Sequence, residues 1–281
     1  YGLSFTESSK FVNDVNSQIR NLTSASFIPQ IEIPSQQFTP ENGFFSVHNY
    51  IFNHKIFQIS FGSAFLEFII HQSLSHLEVN LYAKPHFKLE IFKSNELFIF
   101  KSGNLAWLEK EMNLPKRRIF IEITKRIYGK TGNDWLAFIH ASAVTNGKET
   151  IILSTASGSG KSTLAALLCQ HGLKFVSDDF VPIDARSCKA YPFPAALSVK
   201  DGSYNVLQPY YPELDKAREF HFKGSKKTLK YIPFPDNGDF YKPLPVRALV
   251  FVKYKSGSSF SFRKVPTLEA FKRFNEEAWV S

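Results

Sequence analysis

Cysteine is scarce in this chain, with only Cys169 and Cys188. Two cysteines make no disulfide framework, and neither has metal-ligand spacing. A reduced, cytoplasmic setting is the simplest expectation. The eight histidines are scattered, with no His-x-x-x-His pair, so no structural zinc is expected. No apolar run reaches the length of a membrane span, and the start, Tyr1-Gly2-Leu3-Ser4, does not read as a signal peptide. A membrane partner is therefore not expected. Acidic residues are in deficit, 25 against 34 basic, for a net charge of +9. That balance suits an anionic ligand such as a nucleotide, or an acidic partner. Nucleic acid is not expected, because no recognition-helix or strand–turn–aromatic signature accompanies the charge. The densest basic group, Lys223, Lys226, Lys227 and Lys230, reads as a solvated loop.

Apolar residues make up 43% and charged residues 21%, which is enough for a proper core. A length of 281 residues is natural for two small domains. Phe is abundant at 29 residues, and it alternates with polar residues in runs such as Phe87-Lys88-Leu89-Glu90-Ile91, the pattern of half-buried strands. Short strands are expected over Ile51–Phe61, Leu77–Ala83, His86–Lys93 and Glu96–Lys101, with Phe27–Pro40 as a connection. Asn104–Tyr128 carries a helical pattern, with Ile119, Ile123 and Ile127 at spacing four and Pro115 as a break or kink. The domain boundary falls near Tyr128-Gly129-Lys130-Thr131-Gly132, separating a β-rich part, 1–130, from an α/β part, 131–281. In the latter, Glu149–Ser154 reads as a strand, Ser162–His171 as a helix stopped by Gly172, and Lys174–Ser177 as the next strand. Val246–Tyr254 and Ser259–Lys264 read as a strand pair, and a last helix opens with Thr267 as its N-cap.

One stretch carries chemistry. Ser157-Gly158-Ser159-Gly160-Lys161-Ser162-Thr163 lies between a strand and an amphipathic helix. A phosphate-binding loop needs small residues so that backbone N–H groups can point inward, and a helix N-terminus behind them. It also needs a Lys for the outer phosphates and a hydroxyl for magnesium, here Lys161 and Ser162. The usual pattern is G-x-x-x-x-G-K-[ST], and its first Gly falls at Thr155, where a β-branched residue is less permissive. Asp178 and Asp179 end the next strand, and a βαβ crossover returns them beside the loop.

In order along the chain, His140-Ala141-Ser142-Ala143-Val144, the Gly-Ser loop, Val176-Ser177-Asp178-Asp179, and Pro192-Phe193-Pro194 with Lys200 resemble the kinase domain of the HPr kinase/phosphorylase family. That family lies within the phosphoenolpyruvate carboxykinase-like P-loop group. The resemblance covers about 138 to 265, and the P-loop and Asp-Asp are its specific parts. It implies a mixed α/β (α+β) architecture, a β-rich N-terminal part followed by a P-loop kinase-like domain. It further implies ATP and Mg2+ as cofactors, Asp178 as the base for the acceptor hydroxyl, Asp179 as a magnesium ligand with Ser162, and His140 lining the site. A homo-oligomer is compatible with the ring-like assemblies of HPr kinases. The segment that HPr kinases carry after the acidic motif is missing, so the chain is more similar to HPr kinase-related proteins than to kinases of HPr itself.

The leading expectation is therefore an ATP-dependent kinase acting on a serine-like hydroxyl of a protein, peptide or metabolite. The alternative is a nucleotide-binding interaction module or ATPase switch without kinase activity. An ABC-type ATPase is disfavoured because no Leu-Ser-Gly-Gly signature is present, and a phosphoenolpyruvate carboxykinase because its further basic and metal-binding residues have no place in the sequence.

Overall fold

A computed structural model describes residues 33–34, 38–80, 84–109, 114–221, 228–233 and 242–279. These residues form a mixed α/β fold with three sheets and five α-helices among the described residues. The strands of the first half are β1 (Ile33–Pro34), β2 (Ser46–Phe52), β3 (Lys55–Phe61), β4 (Phe87–Ser94), β5 (Leu97–Ser102) and β6 (Leu105–Glu109). They form one sheet in the order β1-β6-β5-β4-β3-β2.

The run expected as one strand over Ile51–Phe61 is a hairpin. Asn53 and His54 take φ of 48° and 61°, the left-handed pair that a two-residue turn matching strand twist requires. The alternation in β4 has its expected result, with Phe87, Leu89 and Ile91 buried and Lys88 exposed. Helix α1 (Ala64–His71) starts at Ser63, whose Oγ accepts from the Leu66 amide, and buries Leu66 and Ile70. The stretch expected as a strand over Leu77–Ala83 is instead the end of a tight turn, Ser75–Leu77, and a single bridge from Glu78 to Tyr50. Residues 81–83 lie outside the described residues, as does most of the Phe27–Pro40 connection.

The expected helix over Asn104–Tyr128 divides in two. Leu105–Glu109 is the edge-side strand β6, and α2 follows as Leu114–Tyr128. Pro115 opens that helix rather than breaking it, because a first-turn residue has no intrahelical N–H bond to lose. Ile119, Ile123 and Ile127 are all buried. Helix α2 is a wall shared by both halves. Phe120 lies 4.5 Å from Phe193 and 5.6 Å from Phe180 between ring centroids. A single apolar cluster therefore runs from Phe57 and Ile91 through α2 to Trp135 and Phe138. The Ala196 amide donates to Ser73 O at 2.8 Å, and Tyr128 Oη donates to Pro192 O at 2.7 Å, across the same junction.

The second half adds β7 (Trp135–Ile139), β8 (Ala141–Thr145), β9 (Thr150–Ser154), α3 (Lys161–Gln170), β10 (Lys174–Ser177), β11 (Val181–Asp184), β12 (Lys189–Ala190), β13 (Leu197–Lys200), α4 (Tyr204–Leu207), β14 (Phe220–His221), β15 (Thr228–Ile232), β16 (Leu244–Phe251), α5 (Thr267–Glu277) and β17 (Ala278–Trp279). Its main sheet has the order β10-β8-β9-β16-β12-β11-β7-β17, and a small sheet has the order β13-β15-β14. β8 lies between β9 and β10 and is antiparallel to both. β9 and β10 therefore run parallel, with α3 as their crossover, and their carboxyl ends lie on the same side of the sheet. β16 is parallel to β9 and ends there too.

Three further expectations are corrected. Ser259–Lys264 is no strand, and its aromatic residues Phe260 and Phe262 are 94% and 80% exposed, so the alternation there has no sheet to pack on. Thr267 is the first residue of α5, not its cap; Pro266 holds the cap position with no side-chain bond. Lys230 lies in β15, nearly buried, with Nζ donating to Leu214 O at 2.8 Å, while Lys223, Lys226 and Lys227 lie outside the described residues. Cys169 and Cys188 are both free. No helix among the described residues is long and apolar enough to cross a membrane.

Candidate functional site

β9 is buried along nearly all its length and delivers the chain to the carboxyl end of the sheet's parallel strands at Ser154. The loop 155–160 then turns into α3. Gly158 and Gly160 have φ of 87° and 96°, which side chains with a Cβ adopt only with strain. Thr155 has φ of 149°, so this β-branched residue holds a glycine-like conformation at the position where the usual motif has Gly. Such a backbone stores roughly 1–3 kcal/mol. Gly160 precedes α3 without a side-chain cap, so no capping oxygen offsets the partial positive charge of that helix end.

Lys161 is buried, and its Nζ donates to the loop carbonyls of Thr155 and Ala156. Burial pulls its pKa down, against the opposing pull of Glu277, Asp179 and Asp178. Lys200 reaches over from the end of β13 and donates from Nζ to Ser157 Oγ at 2.7 Å. Tyr254, just past β16, donates its amide to Ser159 O at 3.1 Å. Thr163 Oγ1 pairs with Ser203 Oγ at 2.6 Å.

The two aspartates at the end of β10 stand in unlike surroundings. Asp178 is fully buried. Its Oδ1 accepts from Ser142 Oγ at 2.6 Å and Ser162 Oγ at 2.9 Å. Its Oδ2 accepts from the Ser198 amide at 2.9 Å and Ser198 Oγ at 3.0 Å. Burial, with the charge of Asp179 beside it, raises its pKa despite these bonds. Asp179 has φ of 61° and a side chain 35% exposed. His140 Nε2 lies 3.5 Å from its Oδ1. Burial opposes ionisation of Asp179, but the His140 hydrogen bond and the charges of Lys116, His140 and Lys200 outweigh it and hold the carboxyl well below its usual range. His140 Nδ1 in turn faces Glu277 Oε2 at 3.2 Å, and its amide donates to Glu277 O.

The loop and the acidic pair thus meet at the carboxyl ends of the parallel strands. Four contributors carried no recognisable signal: Ser142, Ser198, Lys116 and Glu277. Ser142 lies within the run His140–Val144, and Ser198 shortly after Pro192-Phe193-Pro194. Lys116 comes from α2, and burial lowers its pKa less than Tyr231, Asp179 and Asp178 raise it. Glu277 comes from the end of α5. The sequence distance of Lys116 and Glu277 from the loop leaves nothing for a motif to capture. A separate cleft of about 280 Å³, lined by Thr145, Thr150, Lys174 and Leu244 among others, opens at the opposite ends of β8, β9 and β10 and contains none of these residues. Comparison with protein-family models, curated proteins and solved structures finds no match.

Proposed function

We propose that the chain is an ATP-dependent kinase that passes the γ-phosphate to a serine-like hydroxyl of a protein, peptide or small molecule. The observation that carries this reading is the 2.9 Å hydrogen bond from Ser162 Oγ to Asp178, at the foot of a Gly-Ser loop that also holds Lys161. In P-loop sites the hydroxyl after the Lys and an acid on a neighbouring strand serve the same magnesium ion. Ser162 Oγ, oriented by Asp178, offers a hard oxygen donor of the kind magnesium takes, and would hold it. When bound, the ion would neutralise phosphate charge. The unstrapped N-terminus of α3, Lys161 and Lys200 supply the remaining positive field for an anionic ligand.

The resemblance implies Asp178 as base and Asp179 as metal ligand, but burial favours the exchange of these roles. Asp178 is sealed and already accepts four hydrogen bonds, so it suits orienting Ser162. Asp179 is part-exposed and held by His140, which Glu277 braces from its other side, so it suits the acceptor hydroxyl. In that assignment Asp179 accepts the hydroxyl's hydrogen bond and takes its proton as the new O–P bond forms. The bond from the γ-phosphorus to the bridging oxygen breaks, and ADP leaves with that electron pair. Orientation matters more than basicity in a loose phosphoryl-transfer transition state, so a low pKa is no obstacle.

Calorimetry with magnesium–ATP tests the reading. Lys161→Ala should weaken binding at least about tenfold, on the order of 1.4 kcal/mol. Equal affinity in both proteins would sink the nucleotide site. A wild type that binds magnesium–ATP but neither hydrolyses it nor phosphorylates any serine-containing acceptor would make this a binding module.

A further inference from the structure

A second polar cluster stands in the first half. β2 alternates, so His48 and Tyr50 share one face of its strand. In α1, Glu67 and His71 are one turn apart on the same helix face. Glu78 is brought alongside by its bridge to Tyr50. The His48 and His71 rings stack at 4.2 Å between centroids.

Each imidazole uses one nitrogen for a supporting partner and turns the other toward a single carboxylate. His48 Nε2 lies 2.6 Å from Glu67 Oε1, and His71 Nδ1 lies 2.8 Å from the buried Tyr50 Oη. The remaining nitrogens converge on Glu78, with His48 Nδ1 2.5 Å from Oε1 and His71 Nε2 3.9 Å from Oε2. One ligand atom from each of His48, His71 and Glu78 lies within 4.8 Å of the other two. Bonds of about 2.0–2.1 Å put tetrahedral zinc ligands roughly 3.4 Å apart. A modest rearrangement would therefore suffice, the 2.5 Å His48–Glu78 contact opening and the 3.9 Å His71–Glu78 contact closing, and the Glu78 side chain, 37% exposed and outside any regular element, has room to provide it.

We infer that His48, His71 and Glu78 form a binding site for a divalent transition-metal ion of the zinc class, with Glu67 and Tyr50 orienting the two imidazoles. Two nitrogens and one carboxylate suit zinc or cobalt, and not magnesium or calcium, which take oxygen. His48, with Glu67 on its outer nitrogen, matches the carboxylate–histidine–metal arrangement that fixes which ring nitrogen faces the ion, and the Tyr50 hydroxyl serves His71 in the same way. Three protein ligands leave the fourth position to solvent. The proton shared between His48 Nδ1 and Glu78 departs to solvent when the ion binds. The ligands come from a strand, the end of a helix and the turn beyond it, so no short spacing announces them.

The test uses the full chain, stripped with EDTA and exchanged into chelator-free buffer. Zinc is titrated by calorimetry, and cobalt is followed by its visible absorption, which reports coordination by nitrogen and oxygen donors. The wild type should bind one zinc ion per chain. Glu78→Gln and His48→Gln should each weaken that site at least about a hundredfold and abolish its cobalt spectrum. Glu67→Gln should retain one ion with affinity lowered about 10–100-fold. Should His48→Gln fail to fold, checked by circular dichroism, Glu78→Gln still decides, because its side chain is part-exposed. No stoichiometric zinc in the wild type, or an unchanged site in Glu78→Gln, would overturn the inference and leave an ion-pair cluster.

Discussion

The cluster around His48 and the site around Asp178 are assembled in opposite ways. The first draws on β2, α1 and the turn behind them, all between Ser46 and Glu78. The second collects Lys116, His140, Ser142, Lys161, Ser162, Asp178, Asp179, Ser198, Lys200 and Glu277 from both halves of the chain. Their electrostatics differ too. At His48 one imidazole meets two carboxylates at hydrogen-bonding distance, and a second imidazole, hydrogen-bonded to Tyr50, stacks on it. At Asp178 two adjacent carboxylates sit against each other, one sealed and one open, and lysines from three separate elements offset them. A locally built cluster depends on one hairpin and one helix. A site gathered from distant segments depends on the docking of whole sheets, and α2 provides that docking.

Asp179→Asn should give the largest effect. If the open carboxylate handles the acceptor, ATP turnover falls by about 10²–10⁴-fold while magnesium–ATP affinity stays within a few-fold. Asp178→Asn should instead raise the magnesium concentration needed for binding. Kinetics that show the reverse pattern would restore the roles implied by the family resemblance, and wild-type hydrolysis rates in both variants would remove the pair from catalysis altogether.

Phe120→Ala addresses whether the two regions are one folding unit. The ring fills the junction against Phe180 and Phe193, so its removal should cost roughly 3–5 kcal/mol. Urea unfolding followed by Trp fluorescence should shift as one transition. Two separated transitions, only one of them shifted, would divide the molecule at the junction.

The junction should also respond to acid. His76 lies in the turn after α1, and burial pushes its pKa down to about 4, against a backbone hydrogen bond at Pro194 that raises it. Its folded-state pKa is below the unfolded value near 6.5, so the associated stability is fully present above pH 6.5. It is lost as the pH falls toward 4, by about 2.5 kcal/mol at pH 4.5. Comparison of urea midpoints at pH 7 and 4.5 checks this, and His76→Gln should flatten the difference. An equal pH dependence in that variant would assign the acid response elsewhere.

Thr155→Gly should have the smallest effect. It releases the strained φ of 149° but adds unfolded-chain freedom worth about 0.5–1 kcal/mol, so stability should change by less than about 1 kcal/mol. Magnesium–ATP affinity should hold or tighten by a few-fold in calorimetry. Loss of binding would mean that the Thr155 side chain has a positive role in the loop.

Much of this was legible in the sequence because it is written in neighbouring residues. The strand, Gly-Ser loop and helix from Thr150 to Gln170 follow from β-branched residues, small residues and an apolar helical face in succession. Asp178 and Asp179 were placed by one helix-length of separation, since a crossover between parallel strands has little choice of where to return. The alternation in β4 and the spacing of Ile119, Ile123 and Ile127 set buried faces for the same local reason. Other features needed the folded chain. Leu105–Glu109 is a strand and not the start of α2 because a sheet edge at β5 offers it hydrogen bonds that outweigh its helical pattern. Ser259–Lys264 is no strand because no neighbour pairs with it among the described residues. Only tertiary structure decided that Ser198 would saturate Asp178, that Lys116 and Glu277 would face the same site, and that His48 and His71 would share Glu78. Side chains held by packing across the chain leave no periodic trace, because the energy that brings them together belongs to the sheets and helices that carry them.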